Sequence, residues 1–291
     1  MLVVSGPASR ELGEAVAKRI GLDAVRVESK LFPDGECYVR LESDVNGEDV
    51  VIVQSTYPPQ NTHLVQLLLL ADLVKKRGAR EVIAVVPYLA YARQDKSFRP
   101  YEGVSIETVL GLLKCVGVKS LVTVDVHTPE VFAKAGFPCK DLPAVGVLAE
   151  YLSTLGLKQP IAFAPDVKAL RMAKKAAEIL GGEYGNFRKE RDRVTGEIKM
   201  FPECRHSVDG KDVVVFDDII SSGSTMATAV KMLKEMGARR VFSACTHPLL
   251  TDEVHRRILD SGAVEVVGTD TVSSAVSVVS VSPLIADAVS K

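Results

Sequence analysis

Five short runs in this chain are apolar at almost every position: residues 50–53, 82–86, 121–124, 213–216 and 241–244. A β-strand sends successive side chains to opposite faces, so a run that never alternates must be buried on both. A sheet of such strands needs cover above and below, which points to parallel strands under helices. Between the runs lie helical patterns at 62–76, 106–115, 168–180 and 225–236, and Gly78, Gly117, Gly181 and Gly237 follow them. Glycine in that place is the usual helix terminator. The alternation predicts an α/β fold of doubly wound, mainly parallel sheets flanked by helices.

The pattern also repeats. Val50-Val51-Ile52-Val53-Gln54 leads through a loop and a helix to Gly78-Ala79-Arg80 and a strand ending at Pro87. Val213-Val214-Val215-Phe216-Asp217 leads in the same way to Gly237-Ala238-Arg239 and a strand ending at Pro248. Two similar units of this kind predict two related domains, 1–143 and 144–291, with the last ~10 residues able to return to the first. A chain of 291 residues is long enough to bury two such cores.

The net charge of −1 gives no field to draw the chain to nucleic acid or an anionic membrane, so any phosphate must be held by local geometry. The opening residues 1–16 lack a basic leader and a cleavage-type ending, and no signal peptide is expected. The longest uncharged stretch, 271–286, contains Pro283 and is expected to be strand and loop rather than a membrane span. Cys37, Cys115, Cys139, Cys204 and Cys245 are scattered without metal-ligand spacing, as reduced thiols of a cytoplasmic protein would be.

Chemistry concentrates where the strand at 213–216 ends. It delivers Asp217 and Asp218, and then Ile219 and Ile220 lead to Ser221, Ser222, Gly223, Ser224 and Thr225 at the start of a helix. Ligands of open α/β sheets bind at this edge. Small residues let backbone N–H groups approach a phosphate, and hydroxyls with the helix N-terminus complete an anion site. The acids upstream are placed to accept hydrogen bonds from sugar hydroxyls. A plain capped turn would need no adjacent carboxylates, because like charges at a buried strand end are costly without a ligand or cation. The segment resembles the phosphoribosyl-pyrophosphate loop of type I phosphoribosyltransferases. That resemblance puts the ribose hydroxyls on Asp217 and Asp218, and the 5-phosphate within Ser221 to Thr225.

Further segments narrow the resemblance. Phe32-Pro33-Asp34-Gly35-Glu36 reads on its own as a turn between strands. Tyr88-Leu89-Ala90-Tyr91-Ala92-Arg93-Gln94-Asp95-Lys96 follows a strand and offers aromatic faces and charge, or simply a solvated loop. Asp125-Val126-His127 also stands at a strand end, although a lone histidine is more often structural. Phe187-Arg188-Lys189-Glu190-Arg191 is a charge run in which Lys189 and Arg191 would project to one side of a strand, with Thr195-Gly196-Glu197 as the returning turn.

Together these segments, across essentially the whole chain, resemble the ribose-phosphate pyrophosphokinase family in a compact form. The resemblance implies transfer of the β,γ-diphosphoryl group of Mg²⁺-ATP to ribose 5-phosphate, and a homo-oligomer with a shared ATP site. It implies that ATP lies against Asp34, Gly35, Glu36, Arg93, Gln94 and His127. It also makes His127 and Asp166 the residues associated with Mg²⁺, Lys189 and Arg191 the catalytic cations, and Arg191 a ribose 5-phosphate contact as well. His247 resembles a family residue near adenine and reads equally well as structural. A phosphoribosyltransferase that consumes phosphoribosyl pyrophosphate would use residues 217–225, but leaves the Arg93–Lys96 cluster and the second unit unexplained.

Overall fold

The structure is a computed structural model that describes residues 1–191 and 198–290, and no side chain from 189 to 199. The chain forms two compact units, Met1–Pro143 with Ser280–Lys291, and Ala144–Val279.

The first unit carries, in order, β1 (Leu2–Ser5), α1 (Arg10–Arg19), β2 (Ala24–Val25), β3 (Val27–Leu31), β4 (Cys37–Leu41), β5 (Asp49–Val53), α2 (Gln60–Lys76), β6 (Glu81–Val86), α3 (Ser105–Cys115), β7 (Ser120–Val124) and β8 (Cys139–Leu142). Its six-stranded sheet has the order β2-β1-β5-β6-β7-β8 and every pairing is parallel. β3 and β4 form a separate antiparallel hairpin.

The second unit carries α4 (Val145–Ser153), β9 (Ile161–Ala164), α5 (Leu170–Leu180), β10 (Glu183–Arg191), β11 (Ile198–Cys204), β12 (Asp212–Ile220), α6 (Ser224–Glu235), β13 (Arg240–Pro248), α7 (Asp252–Asp260), β14 (Ala263–Thr269) and β15 (Ser277–Val279). Its seven strands run β11-β10-β9-β12-β13-β14-β15, parallel except for the β10–β11 pair.

Finally α8 (Ser282–Val289) belongs to the first unit, where it packs on α1 and Arg19 Nε donates to Ser282 Oγ at 2.9 Å. This corrects the strand-and-loop expectation for 271–286, whose last five residues open α8. Pro283 sits in the first turn of α8, where no amide N–H is needed for an intrahelical bond.

Burial on both faces is explicit in β12. Val213 and Val215 join one apolar cluster with Met226, Val230 and Ile258, whereas Val214 and Phe216 join another with Leu148, Leu152 and Ala173. The strand has helices on both sides, which is why its sequence does not alternate.

The sequence repeat is a repeat of hydrogen bonds. In the first unit Gly47 N–H donates to Gly78 O at 2.9 Å and Arg80 N–H to Glu48 O at 2.7 Å. In the second, Gly210 N–H donates to Gly237 O at 2.9 Å and Arg239 N–H to Lys211 O at 2.8 Å. Arg80 then grips Asp49, with Nε to Oδ1 at 2.7 Å, and Arg239 grips Asp212. In each unit an acid opening the central strand holds the arginine just before the next strand, which helps fix their register.

The two clamps differ in burial. The Asp49 side chain is 28% exposed, while that of Asp212 is 0% exposed. Asp212 Oδ2 also accepts from Lys158 N–H at 2.7 Å and from Arg240 Nη2 at 2.7 Å. Burial pushes its carboxyl up, but the bonds from Arg240, the Lys158 N–H and Arg239 outweigh burial and hold it below the usual range. A carboxyl so depressed stabilises the fold above the ordinary Asp range and loses that contribution as pH falls through the lowered value. Asp212→Ala should therefore cost about 2–4 kcal/mol, since it strands two arginines on an emptied pocket. Asp49→Ala should cost much less. Urea unfolding of both variants checks this, and equal losses would refute the ranking.

Candidate active site

The second unit gathers its acids and its loop at the C-terminal ends of β9, β12 and β13. β12 is longer than the sequence suggests and carries both acids within the strand, ending at Ile220. Asp217 stands in register with Cys245 and Ile219 with His247. Asp218 N–H donates to Asp217 Oδ1 at 3.0 Å, and Ile219 N–H to Asp218 Oδ1 at 2.9 Å. Burial first, then the charge of Asp218, a hydrogen bond between the two carboxyls and the charge of Asp166 push the Asp217 carboxyl well above its usual range. Asp166 follows β9, and its Oδ1 accepts from Lys168 N–H at 3.0 Å and Ala169 N–H at 3.4 Å. Three carboxylates thus crowd one strand edge. Cys245 beneath them is fully buried, and burial together with Asp217 pushes its thiol up, so it is an inert neutral neighbour.

The loop runs from Ser221 to Gly223, and Ser224 and Thr225 open α6. Gly223 adopts φ +70°, a backbone region that favours glycine. The Ser222 and Ser224 hydroxyl oxygens lie 3.1 Å apart. Among the described residues no three His, Cys, Asp or Glu side chains converge to hold a metal by themselves. A hard cation that keeps waters and takes substrate oxygens needs no such cage, and the Asp166–Asp217–Asp218 edge has the oxygen donors to suit one.

Lys189 and Arg191 lie on β10, whose backbone pairs them with Met200 and Ile198 of β11. Their side chains, and the Thr195-Gly196-Glu197 turn, lie outside the described residues. Nearer the base of that arm, Arg188 Nε meets Glu203 Oε1 at 3.0 Å.

The first unit holds the remaining candidates. Phe32 to Glu36 is the tip of the β3–β4 hairpin, closed by Phe32 N–H to Glu36 O and Gly35 N–H to Phe32 O, both 2.8 Å. Asp34 Oδ1 accepts from Glu36 N–H at 3.3 Å. Arg93 and Gln94 lie on the loop after β6, where Tyr91 takes φ +68° and the Ser105 hydroxyl bonds Gln94 Oε1. Asp125 and His127 follow β7 at the same edge of the sheet. The neighbouring carboxylate Asp141 is raised by burial, while Val126 N–H at 2.9 Å and Thr123 Oγ1 at 2.7 Å donate to it. The described geometry therefore brings Asp166, Asp217, Asp218 and the Ser221–Thr225 loop together in one unit. Arg93, Gln94 and His127 stand on one sheet edge of the other.

Two features go beyond the sequence expectations. Ser55 and Thr56, after β5, lock the Tyr88 loop: Tyr88 N–H donates to Ser55 Oγ at 3.1 Å and Ala90 N–H to Thr56 Oγ1 at 2.8 Å. A polar run, Gln54-Ser55-Thr56, directly after the apolar stretch 50–53 is the signal that marks them. Secondly, Cys245 to Pro248 continue β13 rather than follow it, and His247 is buried. Its Nδ1 meets Thr271 Oγ1 at 2.9 Å, and Thr271 donates to Thr246 O at 2.7 Å.

Adjacent acids on a covered parallel strand, feeding a hydroxyl-rich loop at a helix N-terminus, define the phosphoribosyl class of α/β proteins. Family models agree. Residues 1–117 match the N-terminal domain of ribose phosphate pyrophosphokinase, and residues 144–284 match the phosphoribosyl transferase domain. The ribose-phosphate pyrophosphokinase of Sulfurisphaera tokodaii is 40% identical over 98% of this chain and 99% of its own length. That of Methanosarcina acetivorans is 36% identical over 100% of both. The crystal structure of phosphoribosylpyrophosphate synthetase from Mycobacterium smegmatis superposes with a TM-score of 0.86 at 31% identity, covering 99% of this chain and 96% of that one. The chain belongs to the ribose-phosphate pyrophosphokinase family, and it is an enzyme.

The crowded acids give a test without substrate. The folded protein holds the Asp217–Asp218 proton to higher pH than the unfolded chain does, so stability falls as pH rises from the ordinary Asp range through the raised value. Asp217→Asn should remove that slope. Its Tm at neutral pH should rise, by about 2–4 °C per kcal/mol regained in a chain of this size, and change little near pH ~4. Calorimetry across that range decides. An unchanged slope would mean that the free protein already carries both charges.

Proposed function

We propose that this enzyme transfers the β,γ-diphosphoryl group of Mg²⁺-ATP to the 1-hydroxyl of ribose 5-phosphate, giving phosphoribosyl pyrophosphate and AMP. The observation that carries the reading is the acid pair Asp217–Asp218 running along β12 into the Ser221–Thr225 loop at the start of α6. In this reading the two carboxylates accept hydrogen bonds from the ribose 2- and 3-hydroxyls, which also relieves their mutual crowding. The loop amides, the Ser and Thr hydroxyls and the positive end of α6 take the 5-phosphate.

The anomeric hydroxyl then attacks the β-phosphorus. A bond forms from O1 to that phosphorus and the hydroxyl releases its proton to solvent. The bond from phosphorus to the α,β-bridging oxygen breaks, and AMP departs with the electron pair. Arg93, Gln94, His127 and the Asp34–Glu36 turn hold the adenylate end. Lys189 and Arg191 sit over the migrating group and offset its negative charge, with Arg191 also contacting the pentose phosphate. Catalysis of this kind is mostly positioning and electrostatics. Bound Mg²⁺ would neutralise phosphate charge, and Asp166 and His127 are the residues of this chain that would hold it.

The partners are ATP and ribose 5-phosphate. No helix among the described residues is long and apolar enough to cross a membrane. Five free thiols suit a reducing cytoplasm. The exposed Leu31 and Phe32 at the hairpin tip suit a homo-oligomer in which that turn completes an ATP site.

Incubation with ribose 5-phosphate and ATP labelled at the β-phosphate should move the label into phosphoribosyl pyrophosphate, with one AMP per product. Formation of ADP instead would overturn the reaction. Lys189→Ala should lower kcat by about 10³–10⁵, the range seen for cations acting on a phosphoryl transition state, while the KM for ribose 5-phosphate changes far less. Near-normal turnover would remove Lys189 from the chemistry.

A further inference from the structure

The phosphate loop is braced from outside by α7. Arg257 Nη1 donates to the backbone carbonyl of Ser222 at 3.3 Å, and its Nη2 is held by Glu253, one turn earlier, at 2.9 Å. The helix meets the loop at a second point. A Cβ built on Gly223 would stand 2.5 Å from Val254 Cγ1 and 3.4 Å from Ile258 Cδ1. Only a glycine, already favoured there by its positive φ, lets the loop backbone lie this close to α7.

The Ser222 carbonyl and the Gly223 N–H belong to one planar trans peptide and point in opposite directions. Holding the oxygen on the α7 side therefore turns the N–H away from α7. A loop of small residues has little else to prevent that peptide from rotating, and a rotated peptide would present an oxygen to an anion in place of a donor.

We propose that Arg257 is a positioning residue of the phosphate loop: by holding the Ser222 carbonyl it keeps the Gly223 amide turned toward the 5-phosphate of the substrate. The inference rests on the reading of residues 221–225 as the phosphate loop. Arg257 acts through the backbone and not as a phosphate ligand, and Glu253 restrains the guanidinium in the pose that does this.

The test is steady-state kinetics of the full-length enzyme. The Arg257 side chain is 48% exposed, so its removal leaves the fold intact. Arg257→Ala should raise the KM for ribose 5-phosphate about 5- to 20-fold, the effect of losing one charge-assisted hydrogen bond and the donor that it orients. The KM for ATP should stay put, and kcat should fall by less than the ribose 5-phosphate KM rises. Arg257→Lys, which keeps a donor on a long stem, should recover most of the loss.

The ratio of mutant to wild-type KM should persist at ~1 M salt, where charges are screened within about 3 Å. A direct ionic contact with the phosphate would instead lose its effect there, and that result would overturn the positioning role. In ¹⁵N-labelled enzyme the Gly223 amide should shift on adding inorganic phosphate, and the alanine variant should lose that response. Thr225→Ala separates the two levels of the reading. If it raises the KM while Arg257→Ala does not, the role of Arg257 alone fails. If neither changes it, the phosphate loop has been misplaced.

Discussion

Each unit is organised by an acid at the start of its central strand gripping an arginine just before the next. These clamps, Asp49 with Arg80 and Asp212 with Arg239, sit at the end of the sheet opposite the ligand edge. Parallel strands have no tight hairpin to set their register, and a slip of one residue turns every side chain to the other face. In β12 such a slip would carry Asp217 and Asp218 into the opposite apolar layers. A carboxylate held at one end thus decides where a carboxylate pair stands at the other. The buried clamp belongs to the unit with the crowded acids, where misregister would cost most.

Much of this is legible in the amino-acid sequence, and for identifiable reasons. Strands buried on both faces leave uninterrupted apolar runs, so β5, β6, β7, β12 and β13 stand out as strands from residue type alone. Helices with a terminating glycine are placed to within a few residues. α1, α4, α7 and α8 carry no comparably clear mark. α7 is short and mean-polar, with only Val254 and Ile258 buried along it, and α8 hides in a serine-rich stretch that reads as strand. Residue type ends β12 and β13 too early, because an acid pair and a Thr-His pair look like loop although their backbones still pair in the sheet.

The candidate site divides in the same way. Residue type and order expose the Asp217–Thr225 segment because its pattern is chemically unusual. Arg257 gives no such signal: Arg256 and Arg257 are both helical surface cations by sequence, and only the carbonyl that one of them reaches tells them apart. His247 shows the converse. Its position at a strand end suggests a ligand contact, and in the fold the ring is buried with Nδ1 against the Thr271 hydroxyl. Thr271 Oγ1, within hydrogen-bond distance of Nδ1, also meets Thr246 O, as does Thr269 Oγ1. Tertiary hydrogen bonding of this kind leaves no periodic trace.

The return of α8 has a consequence for synthesis. Val281 and Ile285 are fully buried, and α8 packs on α1, so the opening segment of the chain cannot reach its final packing until residues 282–289 have been made. The whole of the second unit emerges in between. That later unit can close on itself first, while the earlier one waits with an uncovered apolar flank along α1. Order of translation and order of completion are thereby reversed, and the nascent chain is most exposed to misassociation at its older half.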